Sequence, residues 1–210
     1  MPYEYDVFIS YKRSRFQTSW IVDYFLPRLE EHLSNYTAAQ CAQPNVRLFF
    51  DQTEVNSAAR TGLPSASGIE PGTLWREALI EGIGKSRCMV ALYSPNYFHS
   101  KWCLSELKAF EDRAAQTGRN IIIPVSIHSM DRLPARAHSR NMFRMDDFVI
   151  DGPSFYESRS FPDFIRNIKL IAEKVAEAVC NAPAFVPWPT PPLLDENDPT
   201  PTPTPPVARF

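Results

Sequence analysis

Residues 5–11 read Tyr-Asp-Val-Phe-Ile-Ser-Tyr, and Lys12-Arg13-Ser14 follow at once. Val7, Phe8 and Ile9 form an unbroken apolar run, β-branched and aromatic, too short for a helix and lacking the polar alternation of a half-exposed strand. Such a run is expected where both faces of a strand are covered. Four more runs of this kind follow at residues 46–50, 88–93, 121–127 and 148–150, giving five expected strands. Between them apolar residues recur at helical spacing. Val22, Phe25, Leu26, Leu29 and Leu33 make one stripe, with Pro27 either kinking the helix or lying near its start. Trp75, Ala78, Leu79 and Ile83 make a second, with Thr73 as expected N-cap after Pro71-Gly72. Cys103, Leu107, Phe110 and Ala114 make a third that stops at Gly118, and Phe164, Ile168, Ala172, Val175 and Val179 make the last. Residues 131–145 carry no clear period, so the fourth connection is undefined at this level.

Strand and helix alternating over some 180 residues predict an α/β domain: a five-stranded parallel sheet with helices on both faces and right-handed crossovers. The flavodoxin-like strand order 2-1-3-4-5 suits five strands. In that arrangement ligands bind beyond the carboxyl ends of the strands, where the order reverses between the first and third. Two segments leave the sheet there: residues 10–13 after strand one, and residues 94–106 after strand three.

Composition narrows the functions. The chain has 210 residues, 22 basic and 24 acidic, for a formal charge of -2, and no long run of one sign, so neither a nucleic acid nor an anionic membrane is an expected partner. No apolar stretch approaches the length of a spanning helix and the N-terminus has no leader pattern, which predicts a cytoplasmic location. Cys41, Cys88, Cys103 and Cys180 are widely spaced, with no C-x-x-C pair, and are expected to be reduced thiols with no metal role. Ten of the 20 prolines lie in the last 30 residues. The globular domain is therefore expected to span residues 1–182. Residues 183–210 are expected to form a largely disordered proline-rich tail or linker, a spacer to a further domain or a ligand for a proline-reading partner. Phe185, Trp188, Leu193 and Leu194 are the side chains able to tack its first half onto the domain.

Several of these segments, taken together, resemble the Toll/interleukin-1 receptor (TIR) domains. The resemblance covers about residues 3–180. It rests on Tyr-Asp-Val-Phe-Ile-Ser-Tyr (5–11), Leu-Phe-Phe-Asp (48–51), Ile-Glu-Pro-Gly (69–72), Ser-Arg-Cys-Met-Val (86–90), Ser-Pro-Asn-Tyr (94–97) and Ser-Lys-Trp-Cys-Leu-Ser-Glu-Leu (100–107). Members of this family either assemble through TIR–TIR contacts as scaffolds or hydrolyse and cyclise NAD+. In the enzymatic members a helix glutamate four residues after a tryptophan is catalytic, and Glu106, four after Trp102, occupies that position. The resemblance thus implies an NAD+ nucleosidase acting in immune or cell-death signalling and activated by self-association, with NAD+ as substrate and no cofactor or metal.

The residues give this implication a chemical basis. Trp102 and Glu106, at i and i+4, share a helix face. Nicotinamide departs as a neutral base from a cationic pyridinium, so no general acid has to protonate it, and the ribosyl group left behind develops oxocarbenium charge that one carboxylate can stabilise. Lys12 and Arg13 are placed to meet a pyrophosphate. Ser10, Tyr11 and Phe50 are placed to line the pocket, Asp51 to contact ribose hydroxyls or brace the loop, and Trp102 to offer its ring to the cationic nicotinamide. The connection of residues 52–71 is long and rich in glycine, proline and serine in its second half, and the family uses it as a lid and for TIR–TIR contacts; here it carries no aromatic anchor. His99 has no serine, cysteine and acid around it in sequence that would form a triad, and Cys103 falls on the core stripe. The competing reading is a non-catalytic TIR adaptor. A flavodoxin-like or response-regulator reading predicts a flavin-phosphate loop or an acidic phospho-acceptor cluster, and neither pattern is present.

Overall fold

The computed structural model describes residues 3–51, 66–67, 74–150 and 152–188. Strand β1, Tyr5–Tyr11, is buried along nearly its whole length and pairs in parallel on both sides, with β2 (Leu48–Phe49) and with β4 (Ser86–Tyr93). β4 pairs with β5 (Ile122–Ser126), β5 with β6 (Phe143–Arg144), and β2 with the two-residue β3 (Ala66–Ser67), every pairing parallel. The sheet order is therefore β3-β2-β1-β4-β5-β6. This is the expected five-strand order with one short strand added at the β2 edge, inside the segment expected to be a loop.

Helices occupy the crossovers. A helical stretch runs from α1 (Arg15–Trp20) through a π-helical turn (Ile21–Phe25) into α2 (Leu26–Cys41). The wider turn, in which the Leu26 amide donates to the Ile21 carbonyl, sits just ahead of Pro27. Pro27 has no amide to donate and its ring would crowd the carbonyl four residues back, so the expected kink takes the form of a π turn. α3 (Trp75–Lys85) begins after Leu74, and the expected cap Thr73 lies outside the described residues. α4 (Lys101–Thr117) is capped by the Ser100 hydroxyl, which accepts from the Cys103 amide, and ends at Gly118 with φ of 63°. That left-handed residue is the helix stop read from the sequence. α5 (Phe161–Cys180) packs on α2, and α3 packs on α4. In α3, Gly82 lets the helix come down on the Phe49 ring, since a Cβ there would stand 2.6 Å from ring carbons. Trp20, Phe8, Phe25, Phe110 and Phe164 are among the largest fully buried side chains of the core. Burial of a side chain of this size is worth about 1.5–3 kcal/mol.

Three expectations need correction. The fifth strand is Phe143–Arg144, not residues 148–150. Residues 146–148 form a 3₁₀ turn whose Phe148 carbonyl accepts from the Trp20 indole at 2.7 Å, and the Phe148 ring meets Phe164. The apolar triplet thus serves helix packing, and Ile150 is exposed. The strand at residues 46–50 is shorter than expected, reduced to Leu48–Phe49. The third correction concerns the thiols. Cys41, at the end of α2, is joined by a disulfide to Cys180, at the end of α5, with Cα atoms 5.7 Å apart. Separation in sequence hid this pair, because only the packing of α2 on α5 brings the two helix ends together. Cys88 and Cys103 are free and buried. The connection at residues 131–145 contains only 3₁₀ turns before β6.

Candidate functional site

The carboxyl end of β1 delivers Ser10 and Tyr11 to the edge where α4 starts. Ser10, itself buried, donates to the Glu106 carboxylate at 2.6 Å, and the Cys103 thiol donates to the Tyr11 carbonyl at 3.5 Å. The two segments expected to converge, residues 10–13 and 102–106, therefore meet at one edge. Glu106 lies one turn into α4 beyond Trp102 and is 6% exposed. Its pKa is raised from 4.5 to about 8, first by burial, with the nearby Asp51 charge pushing the same way and the Ser10 hydrogen bond and Arg13 opposing. A glutamate so placed holds a proton near neutrality and can lose it when a positive charge approaches, a pattern common where carboxylates do chemistry.

Around it the other expected residues divide. Arg13 is committed to Asp51: its guanidinium bonds the Asp51 carboxylate at 2.9 and 3.1 Å and the Asp51 carbonyl at 2.7 Å. Asp51 is raised in pKa by burial, an effect that Arg13 opposes. Phe50 stacks on Tyr11 with ring centres 5.0 Å apart, and the Tyr11 hydroxyl faces Asp51 outside hydrogen-bonding geometry. Lys12 stands half-buried near Cys103 and makes no hydrogen bond or ion pair among the described residues. Of the two adjacent cations, Lys12 is thus the one whose charge no carboxylate takes among the described residues.

Trp102 is half-buried and meets the ring of Trp75 edge-on, centres 4.7 Å apart, while the Arg13 guanidinium lies over Trp75 at 5.4 Å. Trp75 joins the cluster although its sequence pattern marked it only as part of the α3 stripe. Its place, the first residue of α3, is the one signal that set it near the carboxyl edge. Tyr97 was also missed. It sits in the 3₁₀ turn Pro95–His99, fully buried, with its hydroxyl 2.9 Å from Ser10 Oγ and 3.3 Å from the Cys103 carbonyl. Cys103 itself is buried, with its thiol pKa raised well above the ordinary value by burial and by Glu106, which keeps it protonated.

Residues 61–152 match the family model of the TIR domain. That match supports the TIR family. It spans less than half of the chain and takes in α4 with Trp102 and Glu106, while β1 and Ser10 lie outside it. Two solved TIR structures are similar. The TIR domain of the Toll-related receptor TRR-2 from Hydra magnipapillata is 19% identical, covering 77% of this chain and 98% of that one, with a TM-score of 0.44. The TIR domains of the activated Roq1 resistosome, which directly recognises the pathogen effector XopQ, are 22% identical over 83% of this chain and 84% of that one, with a TM-score of 0.32. No curated protein matches.

The opposite edge of the sheet carries different features. A depression of about 430 Å³ is lined by Gly118, Arg119, Ile123, Lys174, Glu177 and neighbours, at the amino end of β5 and the end of α5. Glu106 is not part of this depression; the buried carboxyl, with its shifted pKa and its aromatic surroundings, marks the candidate site. Among the described residues, no group of three or more His, Cys, Asp or Glu side chains is placed to hold a metal, and no helix is long and apolar enough to cross a membrane.

Proposed function

We propose that this chain is a cytoplasmic TIR domain that cleaves NAD+ at the nicotinamide–ribose bond, with Glu106 as the catalytic carboxylate. Water adds to the ribosyl carbon, nicotinamide leaves, and ADP-ribose and one proton are released; a cyclic product arises when an adenine nitrogen takes the place of water. The observation that carries this reading is Glu106 itself, a buried carboxyl at the carboxyl edge of β1 and β4, pushed up to about 8 and one helical turn from Trp102. The approach of a cationic pyridinium favours loss of its proton, and the resulting anion faces the oxocarbenium charge as the bond breaks in a water-poor setting. Trp102 and Trp75 supply ring faces for a flat base, and Lys12 supplies a cation for the pyrophosphate. Asp51, braced by Arg13, is the group assigned in this reading to the ribose hydroxyls.

A second reading, the non-catalytic scaffold, is favoured by one feature: Glu106 is 6% exposed and tied to Ser10, so its carboxyl is closed off in the isolated chain. Under the enzymatic reading this is a resting form that opens when copies associate, and turnover per protein then rises with protein concentration. Incubating the purified protein with NAD+ over a hundredfold range of protein concentration, resolving nicotinamide and the ADP-ribose products, decides between the two. Nicotinamide release that Glu106→Gln abolishes supports the enzyme; self-association without any release supports the scaffold.

A further inference from the structure

We propose that Tyr97 is a positioning residue for Glu106, acting through Ser10 in a directed chain of hydrogen bonds from Tyr97 to Ser10 to the Glu106 carboxylate. This role rests on Glu106 being the reacting carboxylate. Ser10 has a single hydroxyl proton, and when Glu106 is ionised that proton goes to Glu106 Oε2 at 2.6 Å. Having spent that proton, Ser10 Oγ can meet the Tyr97 hydroxyl at 2.9 Å only as an acceptor, so Tyr97 is the donor in that pair. The Tyr97 proton has one other acceptor within reach, the Cys103 carbonyl at 3.3 Å, a longer contact.

The donor is well fixed. Tyr97 is fully buried, its amide is bound by the carbonyl and side chain of Ser94, and its ring packs between Tyr93 and Phe98. Burial, then the nearby Cys103 and Glu106, raise its own pKa well above the ordinary value, so it keeps its proton at any working pH. Three separate elements, β1, the 3₁₀ turn and α4, are thereby locked around one carboxylate oxygen. A donor that is itself hydrogen-bonded is a stronger one, so the chain favours the ionised carboxylate more than Ser10 would alone. The charged or titratable groups set against Glu106 are Asp51 from the end of β2, Arg13 from the end of β1, and Tyr97 and Cys103 near the start of α4.

The test follows the titration of Glu106 by carbon NMR in glutamate-labelled protein without NAD+, in wild type, Tyr97→Phe, Ser10→Ala and the double variant, with thermal melting of each as a check on folding. Tyr97→Phe keeps the ring and is expected to raise the Glu106 pKa by about half a unit to one unit, about three- to tenfold in proton affinity. Ser10→Ala raises it further. The decisive expectation is that adding Tyr97→Phe to Ser10→Ala changes nothing, because Tyr97 acts only through the serine; a merely structural tyrosine gives the same shift in both backgrounds. Equal shifts in both, or no upward shift in Tyr97→Phe, overturn the chain. Should Ser10→Ala fail to fold, the Tyr97→Phe titration decides alone. With NAD+ present, Tyr97→Phe is expected to lower kcat with KM little changed. Absence of turnover in every form removes the NAD+ reading and leaves the titration result standing.

Discussion

Glu106 and Arg113 lie on the same helix, seven residues apart, and are buried to nearly the same degree, 6% and 2% exposed, yet the fold treats them in opposite ways. Arg113, toward the amino edge of the sheet, donates to the Ser86 carbonyl at 2.7 Å and the Ile83 carbonyl at 2.9 Å. Its guanidinium lies between the rings of Phe110 and Trp188, at 4.7 and 4.5 Å. Burial lowers its pKa only to about 10, so it remains charged. Glu106, toward the carboxyl edge, has the Ser10 hydroxyl as hydrogen-bond donor, no cation in ion-pair contact among the described residues, and a pKa raised into the working range. Arg113 keeps its charge against two carbonyls and two ring faces, with its Nε without a partner among the described residues, whereas Glu106 meets burial with one hydroxyl donor and is raised in pKa.

The contrast can be broken most sharply at Glu106. Glu106→Gln keeps the shape and the hydrogen bond to Ser10 but removes the charge, and is expected to lower nicotinamide release about a hundredfold or more. Stability should move the other way. Because the folded pKa of Glu106 lies above its ordinary value of 4.5, the folded chain binds the extra proton. Its contribution is complete below about pH 4.5 and is lost as pH rises through about 8. Thermal melting between pH 5 and 8.5 should therefore fall more steeply in the wild type than in Glu106→Gln. Parallel curves would mean that the carboxyl is not held proton-rich in the fold.

At the amino edge the expected loss is one of stability. Arg113→Met fills similar volume but leaves the Ser86 and Ile83 carbonyls without a donor, a cost of about 3 kcal/mol in chemical denaturation. NAD+ turnover per folded molecule should be unchanged. If activity fell in step with stability at every denaturant concentration below the transition, the two edges would not be separable.

Reduction of the Cys41–Cys180 bridge frees a loop with a sequence separation of 139 residues and is expected to cost about 2–4 kcal/mol, seen as a lower melting temperature with dithiothreitol and in Cys41→Ser. A cytoplasmic setting would keep the pair reduced, so equal melting with and without reductant would indicate that α2 and α5 hold without the bridge. A smaller effect is expected at Trp188. Trp188→Ala removes one face of the Arg113 sandwich, about 0.5–1 kcal/mol. Removal of residues 195–210, which lie outside the described residues, should shift stability by less than about 0.5 kcal/mol.

Much of the architecture could be read from local pattern. The runs at residues 5–11, 88–93 and 121–127 are continuous apolar stretches that only a covered parallel sheet accommodates, and the helical stripes and the stop at Gly118 depend on contacts within a few residues. The position of Glu106 beside Ser10 was legible too, because strand order places the ends of β1 and β4 together. Residues 148–150 misled because an apolar triplet carries no information on whether a strand or a helix will cover it. Here the Trp20 indole, 128 positions away, claims the Phe148 carbonyl.

The sequence by itself determined the α/β class, the sheet order and the edge at which chemistry-bearing residues gather, since periodicity and chain order are one-dimensional properties. Only the tertiary structure decided which side chains become partners. It joined Cys41 to Cys180, gave Arg13 to Asp51 and left Lys12 unpaired among the described residues. It also brought Trp75 to Trp102 and set Tyr97 behind Ser10. These pairings link residues far apart in the chain and depend on distances of a few ångströms, and no local pattern encodes such distances until the helices have packed on the sheet.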